Sequence, residues 1–211
     1  MTLQKIEDQV LIVKCKLFVF LGLVLDSTML KKVLLLGILA AVPSLAAPIT
    51  YTANLSGANE PVPTGASSGF ATVTIDTALH TLLINLSFTG LTGGVASAAH
   101  IHCCIAPNGT TGVAVPFAGF PAATIGTYNS GILNTTLAAT FQGSFLTANG
   151  GTAASAEAAL AAGLAAGQAY VNIHNATFPG GEERGFLTPE PGTFGLMSAA
   201  VLGLSLIRRK K

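Results

Sequence analysis

Three histidines fall in two short motifs, AHIH at residues 99–102 and VNIH at residues 171–174. Imidazole serves both proton transfer near neutral pH and the ligation of late transition metals. Residues two apart on a strand share a face. His100 and His102 therefore project together, away from Ala99 and Ile101, and His174 shares a face with Tyr170 and Asn172, opposite Val171 and Ile173. If these two strands pair side by side, the three imidazoles converge on one metal-sized site, with Glu182 as the expected oxygen ligand. Neutral imidazoles with a carboxylate suit zinc or copper, and Cys103 or Cys104 could supply a softer ligand. The competing expectation needs no cofactor: the histidines bond to loop carbonyls, and Glu182 pairs with Arg184 to hold a sheet edge. His80, in a turn, has no such company and reads as a surface residue.

Other chemistry is missing from the sequence. It contains no nucleophile elbow, P-loop, dinucleotide fingerprint or His-Glu-x-x-His motif, so no catalytic residue is assigned and the chain reads as noncatalytic. The 211 residues are 9% charged, with a mean hydropathy of +0.63. That average mixes two membrane-directed ends with a polar middle of ~140 residues, enough for one domain with a real core. The middle carries Glu60, Asp76, Glu157, Glu182 and Glu183 against a single cation, Arg184. A phosphate backbone is held by clustered Lys and Arg, which are lacking here, so nucleic acid is excluded as a partner.

The elements that must position the histidines are strands. GFATVTID and TLLINLSF alternate apolar and polar residues, the mark of half-buried strands, with DTALH as the turn between them. Further strands are expected at Ile49 to Ser56, Ala98 to His102, Ile132 to Phe141, Ala169 to Asn175 and Glu183 to Leu187, separated by Gly- and Pro-containing loops. The alanine-rich stretch from about Ala153 to Ala166 predicts one short helix, with Thr152 or Ser155 as N-cap and Leu160 and Leu164 on one face. Many short strands with this punctuation predict a mainly β fold, an antiparallel sandwich or barrel.

Both ends read as addresses. From Met29, two lysines, an apolar run from Val33 to Val42 and the small residues Ser44 and Ala46 follow the order of a secretory signal peptide over residues 29–46, cut by signal peptidase after Ala46. Residues 1–28 are then expected to be an upstream extension ahead of the true start. At the other end, Pro189, Glu190 and Pro191 precede a short apolar run and Arg208, Arg209, Lys210 and Lys211. The run is shorter than the ~20 residues that cross a bilayer comfortably, and the cations suit cytoplasmic retention. Residues 189–211 resemble the PEP-CTERM sorting signal. The resemblance implies transient inner-membrane association, recognition by an exosortase, removal of the tail near the PEP motif, and delivery to the cell surface or the extracellular polymer matrix. Exopolysaccharide and other surface proteins are the partners expected there.

Between the ends, residues 47–188 carry LSGANEPVPTGASSGFATVTID, LSFTGLTGGVASAAHIH and AYVNIHNATFPGGEERGFL around the helix. Together these resemble the CHRD domain, with AHIH, VNIH, PGGE and RG as the most specific part. The resemblance implies an immunoglobulin-like, β-rich domain without an established enzymatic activity. One departure stands out: many members have Gly-Pro where this chain has Cys103 and Cys104. These could pair with each other, bridge to another molecule or ligate metal. Histidine-x-histidine after GL-x-x-G is also similar to copper/zinc superoxide dismutase, but this chain has too few histidines for that family's ligand set.

Overall fold

The computed structural model describes residues 47–106 and 109–190. The upstream extension, the signal segment and the tail from Pro191 onward lie outside the described residues. Nine strands form one antiparallel sheet, in the order β5-β4-β7-β8-β1-β2-β3-β6, with β9 also pairing with β1. They are β1 (Ile49–Ser56), β2 (Ser68–Asp76), β3 (Thr81–Thr89), β4 (Ala96–Cys103), β5 (Val113–Pro116), β6 (Gly126–Asn134), β7 (Ala169–Asn175), β8 (Glu183–Phe186) and β9 (Thr188–Pro189). The mainly β, antiparallel expectation therefore holds. It takes the form of a single open sheet curled around its core.

That core collects the apolar phase of each strand, including Tyr51 and Leu55, Val73 and Ile75, Ile84 and Leu86, Ala99 and Ile101, and Val171 and Ile173. Every residue of β7 is buried, so this strand is covered on both faces. The second cover, over His174, Asn172 and Tyr170, makes the site possible.

The alanine-rich helix is present as α2 (Ala153–Ala165), with Thr152 and Ser155 in a reciprocal capping box. Leu160 and Leu164 are both wholly buried. Replacing either by alanine is expected to cost about 2–5 kcal/mol, the range for cavity creation at buried leucines. Thermal denaturation checks this, and an unchanged midpoint in both variants would show that α2 is not docked. No described helix is long and apolar enough to cross a membrane.

Three elements differ from expectation. The strand predicted at Ile132 to Phe141 lies instead at Gly126–Asn134, and Ala138–Thr140 form a 3-10 turn. Asn134 ends the strand by accepting hydrogen bonds from the backbone N–H and hydroxyl of Thr136. Gly131, at φ +63°, sits at the bulge opposite Leu83 to Asn85. Strand β5, inside the segment read as a loop, is a four-residue edge whose terminal Pro116 needs no second neighbour. Helix α1 (Gly143–Ala148), with Phe145 buried, was not expected at all.

His80 also has a partner. Its Nδ1 lies 2.8 Å from Oε2 of buried Glu157 on α2, whose other oxygen accepts from the Thr135 hydroxyl. His80 is an exposed turn residue, as expected, and it ties the β2–β3 turn to the helix.

Candidate metal centre

Strands β4 and β7 pair directly, with Ala98 opposite His174, His100 opposite Asn172 and His102 opposite Tyr170. The register places all three imidazoles on one face, and the ring centroids are 4.9 to 5.6 Å apart. One ligand nitrogen from each histidine lies within 4.8 Å of the others. Such a triangle can close on an ion at the roughly 2.0–2.1 Å of zinc–imidazole bonds after small rotations of the rings.

Loop carbonyls set the tautomers. Nδ1–H of His102 donates to the Thr111 carbonyl at 2.8 Å, and Nδ1–H of His174 donates to the Pro179 carbonyl at 3.0 Å. The ring of Tyr170 stacks flat on His102, with centroids 4.8 Å apart and planes 5° from parallel. Each Nε2 is thus left with its lone pair free, in the arrangement that orients metal-bound imidazoles elsewhere. Nε2 of His102, Nε2 of His174 and Nδ1 of His100 are buried without a hydrogen-bond partner. Burial also keeps the rings neutral. It lowers His100 to about 4, assisted by His174 and His102, and it lowers His102 and His174 below the ordinary imidazole value.

The expected carboxylate ligand stands elsewhere. Glu182 Oε1 accepts from the Thr92 N–H at 2.5 Å and the Thr92 hydroxyl at 2.9 Å, and Oε2 from the Gly93 N–H at 3.2 Å and the Asn175 amide. It pins the loop after β3 to the end of β7, and it is not one of the converging groups. Nor does it pair with Arg184, whose nearest carboxylate is Glu60, at 3.9 Å. Cys103 and Cys104 form a disulfide with each other. Cys103 lies in the core, on the face opposite His102, and both sulfurs press on α2 where a Cβ at Gly163 would stand 2.3 and 2.4 Å from them. That contact requires the glycine. The expected bonds from histidines to loop carbonyls are thus present for His102 and His174, while no residue type marked Thr111 and Pro179 as the loop residues that supply them.

Behind the site, Glu183 is wholly buried and both its carboxyl oxygens lack partners. Burial pushes its carboxyl up to about 7, with help from the neighbouring carboxyls of Glu182 and Glu60. Glu60 is raised to about 7 as well, by burial that outweighs Arg184. A carboxyl raised in the folded state stabilises fully below its unfolded value near 4.5 and loses that contribution as pH climbs through 7. Histidines lowered in the folded state act oppositely, and their contribution is complete once pH exceeds 6.5. Stability of the metal-free protein should therefore decline from pH 6.5 to 8. Glu183→Gln should remove about half the decline, or about 1 kcal/mol, because only the last part of the carboxyl's deprotonation falls above pH 6.5. Urea titrations at the two pH values check this, and a decline as steep as in the parent protein would contradict it.

Comparisons with curated proteins and with solved structures return no match to this chain. The family model for the CHRD domain matches residues 51–187, which take in β2 to β8, most of β1, α2 and the three site histidines. The chain therefore belongs to the CHRD domain family, whose members are of an extracellular and generally non-enzymatic type.

Proposed function

We propose that this protein is an exported CHRD module that holds one zinc or copper ion on His100, His102 and His174, and that it works by binding rather than catalysis. The observation that carries the reading is the convergence of one nitrogen from each of the three histidines within 4.8 Å, with a buried nitrogen on each ring that has no hydrogen-bond partner. Nε2 of His102 and of His174 each carry a free lone pair, and a late first-row cation can turn three converging imidazoles into three bonds. A purely structural role accounts for the two Nδ1 contacts but leaves the unpartnered nitrogens unexplained. Zinc titration of the metal-free protein, in competition with a chromophoric chelator, should show uptake of about one equivalent. Uptake should disappear when all three histidines are alanine. Equal uptake by that variant would refute the site.

The signal-peptide order ahead of Ala47 and the PEP-CTERM resemblance support placement at the cell surface or in the extracellular polymer matrix. Pro189 pairs with Tyr51 on the last described strand, and the Glu190 N–H donates to the Thr50 carbonyl at 3.1 Å, so the motif begins on β9. Replacing Pro189, Glu190 and Pro191 by alanines, with the apolar run and cations kept, should make full-length protein accumulate in the inner membrane. Unchanged release of a shortened form, followed by immunoblotting of cell fractions, would contradict exosortase processing. Exopolysaccharide remains the expected surrounding. On the outer face of β2, β3 and β6, the patch of half-exposed Phe70 with Thr72, Asn85, Ser87, Thr127 and Asn129 has no charged side chain and suits a neutral polymer.

A further inference from the structure

Resting on the metal reading above, we propose that the ion's fourth coordination position holds an exchangeable water bonded to Asn172 Oδ1, and that small monodentate anions can displace it. The three imidazoles come from neighbouring strands and one face of one sheet. They gather on one side of an ion, whereas zinc sites built on three protein ligands keep a further position for solvent or substrate.

The protein groups nearest in sequence or space are otherwise engaged. Glu182 is saturated by the donors of Thr92, Gly93 and Asn175. Cys103 and Cys104 are joined to each other and face α2. The Tyr170 hydroxyl is held at Thr111, accepting from its N–H at 3.3 Å and donating to its carbonyl at 3.4 Å. Among the described residues, no other His, Cys, Asp or Glu joins the three.

Asn172 supplies the positive observation. It is 2% exposed, stands directly opposite His100, and lies two residues from His174 on the same face. Its Nδ2 donates to the Gly180 carbonyl at 3.3 Å, and the backbone at Gly181 lies so close that a Cβ there would stand 2.3 Å from the amide. The amide is thus clamped, yet Oδ1 has no donor. A buried acceptor left unpaired is destabilising. Metal-bound water brings the missing donor, since one of its O–H groups can point to Oδ1 while its oxygen lone pair binds the ion. Three neutral imidazoles also leave the ion's charge uncompensated in a buried place, which favours an anion as the replacement ligand. A cleft of ≈ 380 Å³ between Pro61–Thr64 and residues 177–181 reaches Asn172 and Tyr170 and offers a route for exchange.

The test uses the full-length chain loaded with cobalt(II) and titrated with azide, followed by visible absorption. The cobalt bands should shift and saturate at about one azide per metal. Removing the water's acceptor should weaken water and so favour its competitor: Asn172→Leu should bind azide about 2–10-fold more tightly. Asn172→Asp, which keeps an acceptor and adds negative charge, should bind it more weakly. Cobalt-loaded protein whose spectrum ignores azide would overturn this inference and leave the metal site standing. Failure to take up cobalt at all would overturn the metal reading itself. Weaker azide binding in the leucine variant would remove Asn172 from its role.

Discussion

Zinc-loaded protein is expected to melt at least about 10 °C above the metal-free protein, and His102→Ala or His174→Ala should erase the difference. A ligand that binds the folded state stabilises by about 4 kcal/mol at a thousandfold excess over its dissociation constant. In a domain of this size each kcal/mol moves the midpoint by roughly 2–8 °C. Loss of a supporting contact around a metal ligand costs about 10–100-fold in affinity, and loss of a ligand itself costs more. The variants should differ little from the parent without metal. His102→Ala gives up the Tyr170 stack and the Thr111 bond, but it also removes a buried nitrogen that had no partner. Scanning calorimetry with and without zinc measures both effects. A parent protein indifferent to zinc, or a variant that responds as the parent does, would contradict the site.

Arg184→Met is expected to cost about 3–5 kcal/mol, the range for breaking a buried charged network by removing one partner. Arg184 is 1% exposed, and its Nε donates to the Asn59 carbonyl at 2.7 Å and its Nη1 to the Gly109 carbonyl at 2.8 Å. Its guanidinium lies 5.2 Å from the Tyr170 ring centre and 5.6 Å from that of Phe186. One side chain thus holds the turn after β1, the loop after β4, and strands β7 and β8. Methionine fills much of the volume but leaves two carbonyls without donors and Glu60 without its cation, so the Glu60 carboxyl should rise further above 7. Arg184→Lys should recover little, because an ammonium cannot supply the fork and the aromatic stacking together. Urea denaturation decides, and a loss below about 1 kcal/mol in the methionine variant would show that the network contributes little.

Alternation made much of this fold legible. Strands β1 and β7 were bounded correctly because each lies inside the sheet, where apolar and polar phases separate cleanly. The same period-two argument put the three histidines on common faces. Their convergence needed the β4–β7 pairing, which no local pattern encodes. Edge elements were harder to see. Ile132 on β6 is 76% exposed, so its apolar character marked no core face and pulled the expected strand six residues too late. Glu182 misled for a related reason: its type and position suit a ligand, but its oxygens are consumed by loop N–H groups that sequence cannot display. Asn172 was visible as a neighbour of His174, whereas its unpaired oxygen depends on the loop that clamps its amide.

The central claim is tested most directly by elemental analysis of the mature, untagged protein recovered from its native compartment without chelators. The account predicts about one zinc or copper per chain, lost when His100, His102 and His174 are alanine. Less than about a tenth of an equivalent in the parent protein, with no uptake when either metal is supplied, would contradict it.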